Sequence, residues 1–374
     1  MAVHTSNPNA NAFVRFMRKA YNPIGFKKGY NFILFFIFAG ALFGFCLAKI
    51  QSLNVNGYWV NHNAPGESFW FGPDSRFYNI MIHIHLCTCI PAGLLGAWQF
   101  VPVIRYKALI FHRINGYIVI LLLLVSNVGA VGVARRAFGG SLATQVFVGV
   151  LALLTTTSIF LAWWNIKVLQ IDQHRAWMLR LFVYLGTIIT IRLITIVIAA
   201  VISKGSKYFT YFMVMECQKI ASMAGPELLQ SYPTCITNPY SLTIVRANFT
   251  TPANVAEVAA ALALPFGVSC WLALTLHVIG IELYLRLTPV EGERLRRVSY
   301  ERQFERGLEP AGSAGIVVER LGDAEPWTPP TKAKESVPSV SGSWDAKLTP
   351  EIAQSLSRGS SLKDVGRPVA AASR

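Results

Sequence analysis

His85, His112, His174 and Arg192 stand out as groups able to do chemistry in an otherwise apolar chain, with Gln99, Asn127, Arg105, Arg113, Arg175 and Arg180 around them. An imidazole takes up and releases a proton near neutral pH. A guanidinium stabilises negative charge as it develops on an oxygen. Inside a bilayer an ionisable side chain is costly unless it is paired, so its presence marks a functional interior. Together these types suit acid–base chemistry on a lipophilic molecule.

The elements that must position them are membrane helices. The chain has 374 residues, 53% hydrophobic and 14% charged. Apolar runs of about 20 residues recur along it, which excludes an ordinary soluble domain. The pattern predicts an all-α, polytopic transmembrane bundle of about six spans. The expected spans are residues 30–48, 78–101, 114–134, 145–166, 177–202 and 262–287. A basic lead-in covers 1–29 and a long loop 203–261. The tail, 288–374, opens with a short amphipathic helix (Glu291–Arg306); from Gly307 it is rich in Ser, Pro, Ala and Gly and is expected to be disordered.

The net charge of +15 records orientation and contact with anionic lipid, since no nucleic-acid motif, phosphate loop or repeat is present. The lead-in, the Arg105–Arg113 connection, the Lys167–Arg175 connection and the juxtamembrane tail all fall on the side shared by the termini. The positive-inside rule makes that side cytoplasmic, in an endomembrane or the plasma membrane; Arg135 and Arg136 dissent. The long loop then faces an oxidising lumen. There Asn248-Phe249-Thr250 is a glycosylation pattern, and Cys217 and Cys235 are able to form a disulfide.

Counting depth at about 1.5 Å per residue places His85, Asn127, Thr155 and Arg192 in the exoplasmic half of consecutive spans. His85 and Arg192 are expected to approach across the interior, with His85, Asn127 or a ligand oxygen as acceptor for the guanidinium. Asn127 and Thr155 also suit plain interhelical hydrogen bonding. Ala92, Gly93 and Gly96 allow a close helix contact. A second cluster, Gln99, Arg105, His112-Arg113, His174-Arg175 and Arg180, gathers at the cytoplasmic ends of the spans. It reads either as positive-inside signalling or as an anion site at helix N-termini. Asp172 and Glu282 are the carboxylates near that boundary, as acids or as partners of Arg175 and Arg286. No paired CxxC motif or other metal-ligand set is present, and Cys46, Cys87, Cys89 and Cys270 read as packing residues.

His85, Gln99-Phe100 with Arg105, His112-Arg113 before Gly116-Tyr117, His174-Arg175 with Trp177-Met178 and Arg180, and Arg192 together resemble the predicted membrane proteins called domain of unknown function 2306. The resemblance covers about residues 78–200 and is similar to fungal members, whose elaborations include the long loop and tail. It implies a four-helix core and, through fungal relatives, work on lipophilic natural products of secondary metabolism.

Three functions are expected to compete. The first is a membrane-embedded enzyme, a cyclase or isomerase acting on an isoprenoid-derived or similar lipophile without a cofactor. The second is a b-type haem redox protein; His85 has no histidine at its depth and His277 lies about 9 Å deeper, whereas His112 and His174 match in depth at the membrane edge and leave room for a single cytoplasmic-side haem. The third is a transporter or non-catalytic subunit, with no inverted repeat to support transport. Membrane lipids and a lipophilic small molecule are the expected partners; protein partners are unspecified by the sequence.

Overall fold

The computed structural model describes residues 11–73, 75–204, 210–223, 226–250 and 254–329. The first ten residues of the basic lead-in and the tail beyond 329 lie outside the described residues. Numbering the longer helices only, the chain forms α1 (Ala12–Tyr21), α2 (Gly29–Ala48), α3 (Arg76–Ala97), α4 (Leu109–Val133), α5 (Leu142–Lys167), α6 (Ile171–Ser203), α7 (Val255–Ala263), α8 (Phe266–Leu287) and α9 (Pro289–Glu305). Strands β1 (Phe212–Glu216) and β2 (Leu242–Arg246) pair antiparallel between α6 and α7, Phe212 opposite Arg246. Among the described residues, six helical stretches are long and apolar enough to cross a membrane.

The helices begin and end where local chemistry allows. Asn11 caps α1 by accepting from Val14 N, and Ser141 caps α5 by accepting from Thr144 N. The last apolar stretch breaks at Leu264 and Pro265, so α8 fills most of the expected span 262–287 and α7 is an additional helix at the end of the expected loop. Proline lacks the N–H that would carry the hydrogen-bond ladder across the junction. At 33 residues α6 is the longest helix. Its length of about 50 Å exceeds the ~30 Å hydrocarbon core, so its ends reach past the apolar layer.

Packing is organised around two contacts. Helices α3 and α4 lie close along their length, and α6 packs between α5 and α8; α2 leans on both α3 and α6. Small residues set the distances. A side chain at Gly129 or Gly132 of α4 would collide with α3 at His85 and Met81. The expected small residues of α3 serve other neighbours: Gly93 faces Cys46 of α2, and Gly96 faces the Phe182 ring of α6. Ala92, Val119, Leu123, Ile159, Leu181 and Phe182 form the buried core where α3 to α6 meet.

At the end of the bundle carrying the long loop, three loops interlock. Met215, Ile220, Tyr232 and Val245 pack with Ala256, Ala259 and Ala260 of α7. A disulfide joins Cys217 and Cys235, 18 residues apart. Closing a loop of that length contributes about 3 kcal/mol in the chain-entropy account. Glu67, from the loop before α3, is buried; it pairs with Lys219 at 3.8 Å and accepts from Phe138 N at 3.0 Å. That hydrogen bond helps to hold Phe138 in the left-handed region at φ 46°, its ring stacked on Phe266. Arg136 reaches Glu216 at 3.8 Å and covers the Trp70 ring at 3.5 Å.

The opposite end corrects an expectation. Residues from Gly307 were expected to find nothing to pack against, yet 310–321 are docked on the turn between α5 and α6. Gln303 of α9 and Gln170 of that turn are fully buried. Gln303 donates to Val168 O and Gln170 Oε1 and accepts from Gly312 N. Gln170 donates to Gly312 O and Asp172 Oδ1 and accepts from Gly315 N. Asn165 Oδ1 accepts from Ile316 N. This segment is held by buried hydrogen bonds together with small apolar groups, Ala311, Ala314 and Val317, which is why composition did not reveal it.

Candidate functional site

The polar residues divide into two groups at different depths. On the long-loop side, Gly129 lets the α4 backbone approach α3 at His85. His85 Nδ1 thereby meets Ser126 O at 3.2 Å and Ser126 Oγ at 3.0 Å. A carbonyl oxygen only accepts, so Nδ1 carries the hydrogen and Nε2 keeps its lone pair. Nε2 has no partner among the described residues. One turn further along α3, Pro91 cannot donate to the Cys87 carbonyl and loosens the ladder next to the site.

Arg192 lies on α6, about 16 Å from the Ser203 end. The residue is exposed, and its guanidinium sits over the Phe45 ring of α2 at 5.4 Å. It has no hydrogen-bond acceptor or ion-pair partner among the described residues. His85 and Cys89 lie within its electrostatic reach. So does Lys49, just past the end of α2, whose pKa is lowered by burial and then by the Arg192 charge. The two residues expected to supply an acceptor do not. His85 turns Nδ1 to Ser126, and Asn127 donates to Thr155 Oγ1 and Thr156 Oγ1, both at 3.0 Å, tying α4 to α5.

The second group, on the tail side, does not form a single site. Gln99 is buried and donates to His112 O at 3.3 Å. His112 Nδ1 is buried without a partner among the described residues; Arg105, His174 and Arg113 are within its electrostatic reach. His174 Nδ1 donates to Ala162 O at 2.9 Å. Arg105 has its pKa lowered by burial, with Arg175 and Arg294 acting in the same direction and Tyr106 and Glu291 against it. Arg175 turns to the Tyr284 hydroxyl at 3.3 Å, and Arg113 is exposed. Arg180 forms a bidentate pair with Glu282, at 2.6 and 3.0 Å. The expected acids are therefore committed: Glu282 to Arg180 rather than Arg286, and Asp172 to Gln170, Gln173 and Ser299 in the tail dock.

His277 uses both nitrogens, Nδ1 on Val183 O at 2.6 Å and Nε2 with Thr190 Oγ1 at 2.8 Å. It is thus not available as a ligand opposite His85. Among the described residues no group of three His, Cys, Asp or Glu is placed to hold a metal ion. Asn248 is nearly buried, its Oδ1 accepting from Thr250 N and Oγ1. A glycan there would have to be attached before the loop folds.

Residues 80–230 match the model of the family described as predicted membrane protein (DUF2306). The protein is a multi-pass membrane protein, of which residues 80–230 are similar to that family. That region runs from α3 through α6 into the long loop, so it contains His85, Ser126 and Arg192. Lys49 and Phe45 lie before it, and the docked tail lies after it. No curated protein and no solved structure matches the chain.

Reading the sequence singled out His85 and Arg192 by their charge in apolar runs. It missed Ser126, Phe45 and Lys49. Ser126 carried a usable signal: it lies three residues before Gly129, on the same face of α4. Phe45 and Lys49 carried none, because an aromatic residue and a terminal lysine are ordinary for a span.

Proposed function

We propose that the protein is a membrane-embedded enzyme of the isomerase or cyclase type, acting on a lipophile whose polar oxygen sits between Arg192 and His85. The observation that carries this reading is Arg192, an exposed residue at membrane depth whose guanidinium has no acceptor among the described residues. A ligand oxygen would complete it, and Lys49 favours an oxygen bearing negative charge. His85 Nε2, its ring oriented by Ser126, takes a proton from the substrate and returns it at another atom, while Arg192 stabilises the charge that develops on oxygen. The step conserves atoms and electrons and requires no further reactant. An isoprenoid-derived natural product fits the lipophilic surroundings.

Arg192→Gln keeps a donor but loses the charge. A lipophile extracted with the purified wild-type protein should fall by about tenfold or more in this variant, as expected for losing a charge-assisted hydrogen bond. Equal amounts in both proteins, by mass spectrometry, would contradict the reading.

The same reading places both termini in the cytoplasm and the disulfide-bearing loop in an oxidising lumen. Tags at either end should be digested by protease in sealed, cytosol-facing membranes. Protection of either tag would overturn this orientation.

A further inference from the structure

A cleft of about 360 Å³ opens between α5, α6 and α8, on the tail-side half of the bundle and away from His85 and Arg192. Leu153, Leu154 and Trp177 give it apolar walls, and Leu153 is 69% exposed, so the cleft opens sideways toward the bilayer. Its polar end is unusual in being incomplete. Ser158 is 1% exposed, lines the cleft, and its Oγ has no hydrogen-bond partner among the described residues. Tyr184 is 6% exposed and lines the same cleft, and its hydroxyl also has no partner among the described residues. The buried Ser158 hydroxyl is costly unless something supplies its hydrogen bond, and the Tyr184 hydroxyl beside it reaches the cleft as a second open group.

The charges at the site indicate what that is. Arg180 is neutralised by both oxygens of Glu282, and Trp177 covers its guanidinium at 4.5 Å. Among the described residues that line the cleft, no free cation is left for an anionic headgroup. The Glu282 side chain is 40% exposed and keeps lone pairs for a donor. A single hydroxyl could therefore donate to Glu282 and accept from Ser158 or Tyr184. Glu282 lies five residues from the Leu287 end of α8, about 8 Å along the axis, which is near the hydrocarbon boundary.

We propose that this cleft binds a neutral membrane lipid bearing a free hydroxyl, with its apolar body along Leu153 and Leu154. The site is independent of the His85–Arg192 reading. It is tested on the full-length protein in lipid nanodiscs with diazirine probes: a sterol with a free hydroxyl, the methyl ether of that sterol, a diacylglycerol and a phosphatidylserine. The free-hydroxyl sterol or the diacylglycerol should label peptides containing Leu153–Ser158 or Trp177–Tyr184, and the more efficient of the two identifies the source. Tyr184→Phe and Ser158→Ala, each conservative enough to fold, should weaken that labelling about fivefold, the effect of one hydrogen bond. Equal labelling by the methyl ether, preference for phosphatidylserine, no labelling of these peptides, or no change in either variant would overturn the proposal.

Discussion

Lys219→Met is expected to destabilise the long-loop end of the protein by about 3–5 kcal/mol, the cost of leaving a buried carboxylate without its counter-charge. Glu67 and Lys219 are each 6% exposed, so water cannot readily replace the ammonium. Their 3.8 Å separation and the Phe138 N–H are the compensation the structure provides for Glu67. Combining Lys219→Met with Glu67→Gln should recover much of the loss, because no charge is then left buried. Thermal unfolding in detergent measures both; a single variant as stable as the wild type would show that the pair is not needed. Burial raises the Glu67 pKa, with Lys219 and the Phe138 N–H acting in the opposite direction. The folded state therefore holds this proton more tightly than the unfolded chain. Its contribution to stability is greatest below the ordinary carboxylate value of about 4.3 and is lost as pH rises through the raised value. Glu67→Gln should remove that slope.

Ending the chain at Arg306 is expected to produce the second large effect. The cut removes Gly312, Gly315 and Ile316, whose backbone groups satisfy Gln303, Gln170 and Asn165. Each buried amide group left unpaired costs about 1–3 kcal/mol, reduced where water can enter the vacated face. Ser299 ties the same region together, accepting from Ile171 N at 2.8 Å and donating to Asp172 Oδ1 at 3.1 Å. We expect a lower unfolding temperature and faster proteolysis within α9. Removing only 330–374, which by composition has little to bury, should change either far less. Identical melting for both truncations would show that the docked segment adds no stability.

The helical class and the six apolar stretches were legible because a bilayer span leaves a continuous run of Leu, Ile, Val and Phe that no loop imitates. Arg192 was legible for the converse reason, as a charge within such a run. The tail dock was not. It joins Gln170 to Gln303 across 133 positions through amide groups that look like surface residues in any local reading. Pairing of Arg180 with Glu282, 102 positions away, was hidden in the same way, and proximity in sequence made Arg286 the more obvious partner. His85 illustrates a subtler limit. Its depth could be counted, but Ser126 became its partner only because Gly129 brings two backbones together. Asn127, one residue from Ser126, faces the other way and ties α4 to α5.

The central claim, that a polar lipophile sits against Arg192, is tested most directly in the protein's own membrane. Phe45, whose ring lies under the guanidinium, is replaced by benzoylphenylalanine in the full-length chain, illuminated, and the adduct weighed by mass spectrometry. The account predicts an adduct with a lipophile carrying a carboxylate, phosphate or carbonyl oxygen, strongly reduced when Arg192→Gln is added. An adduct with bulk bilayer phospholipid alone, of equal yield with and without Arg192, would contradict it.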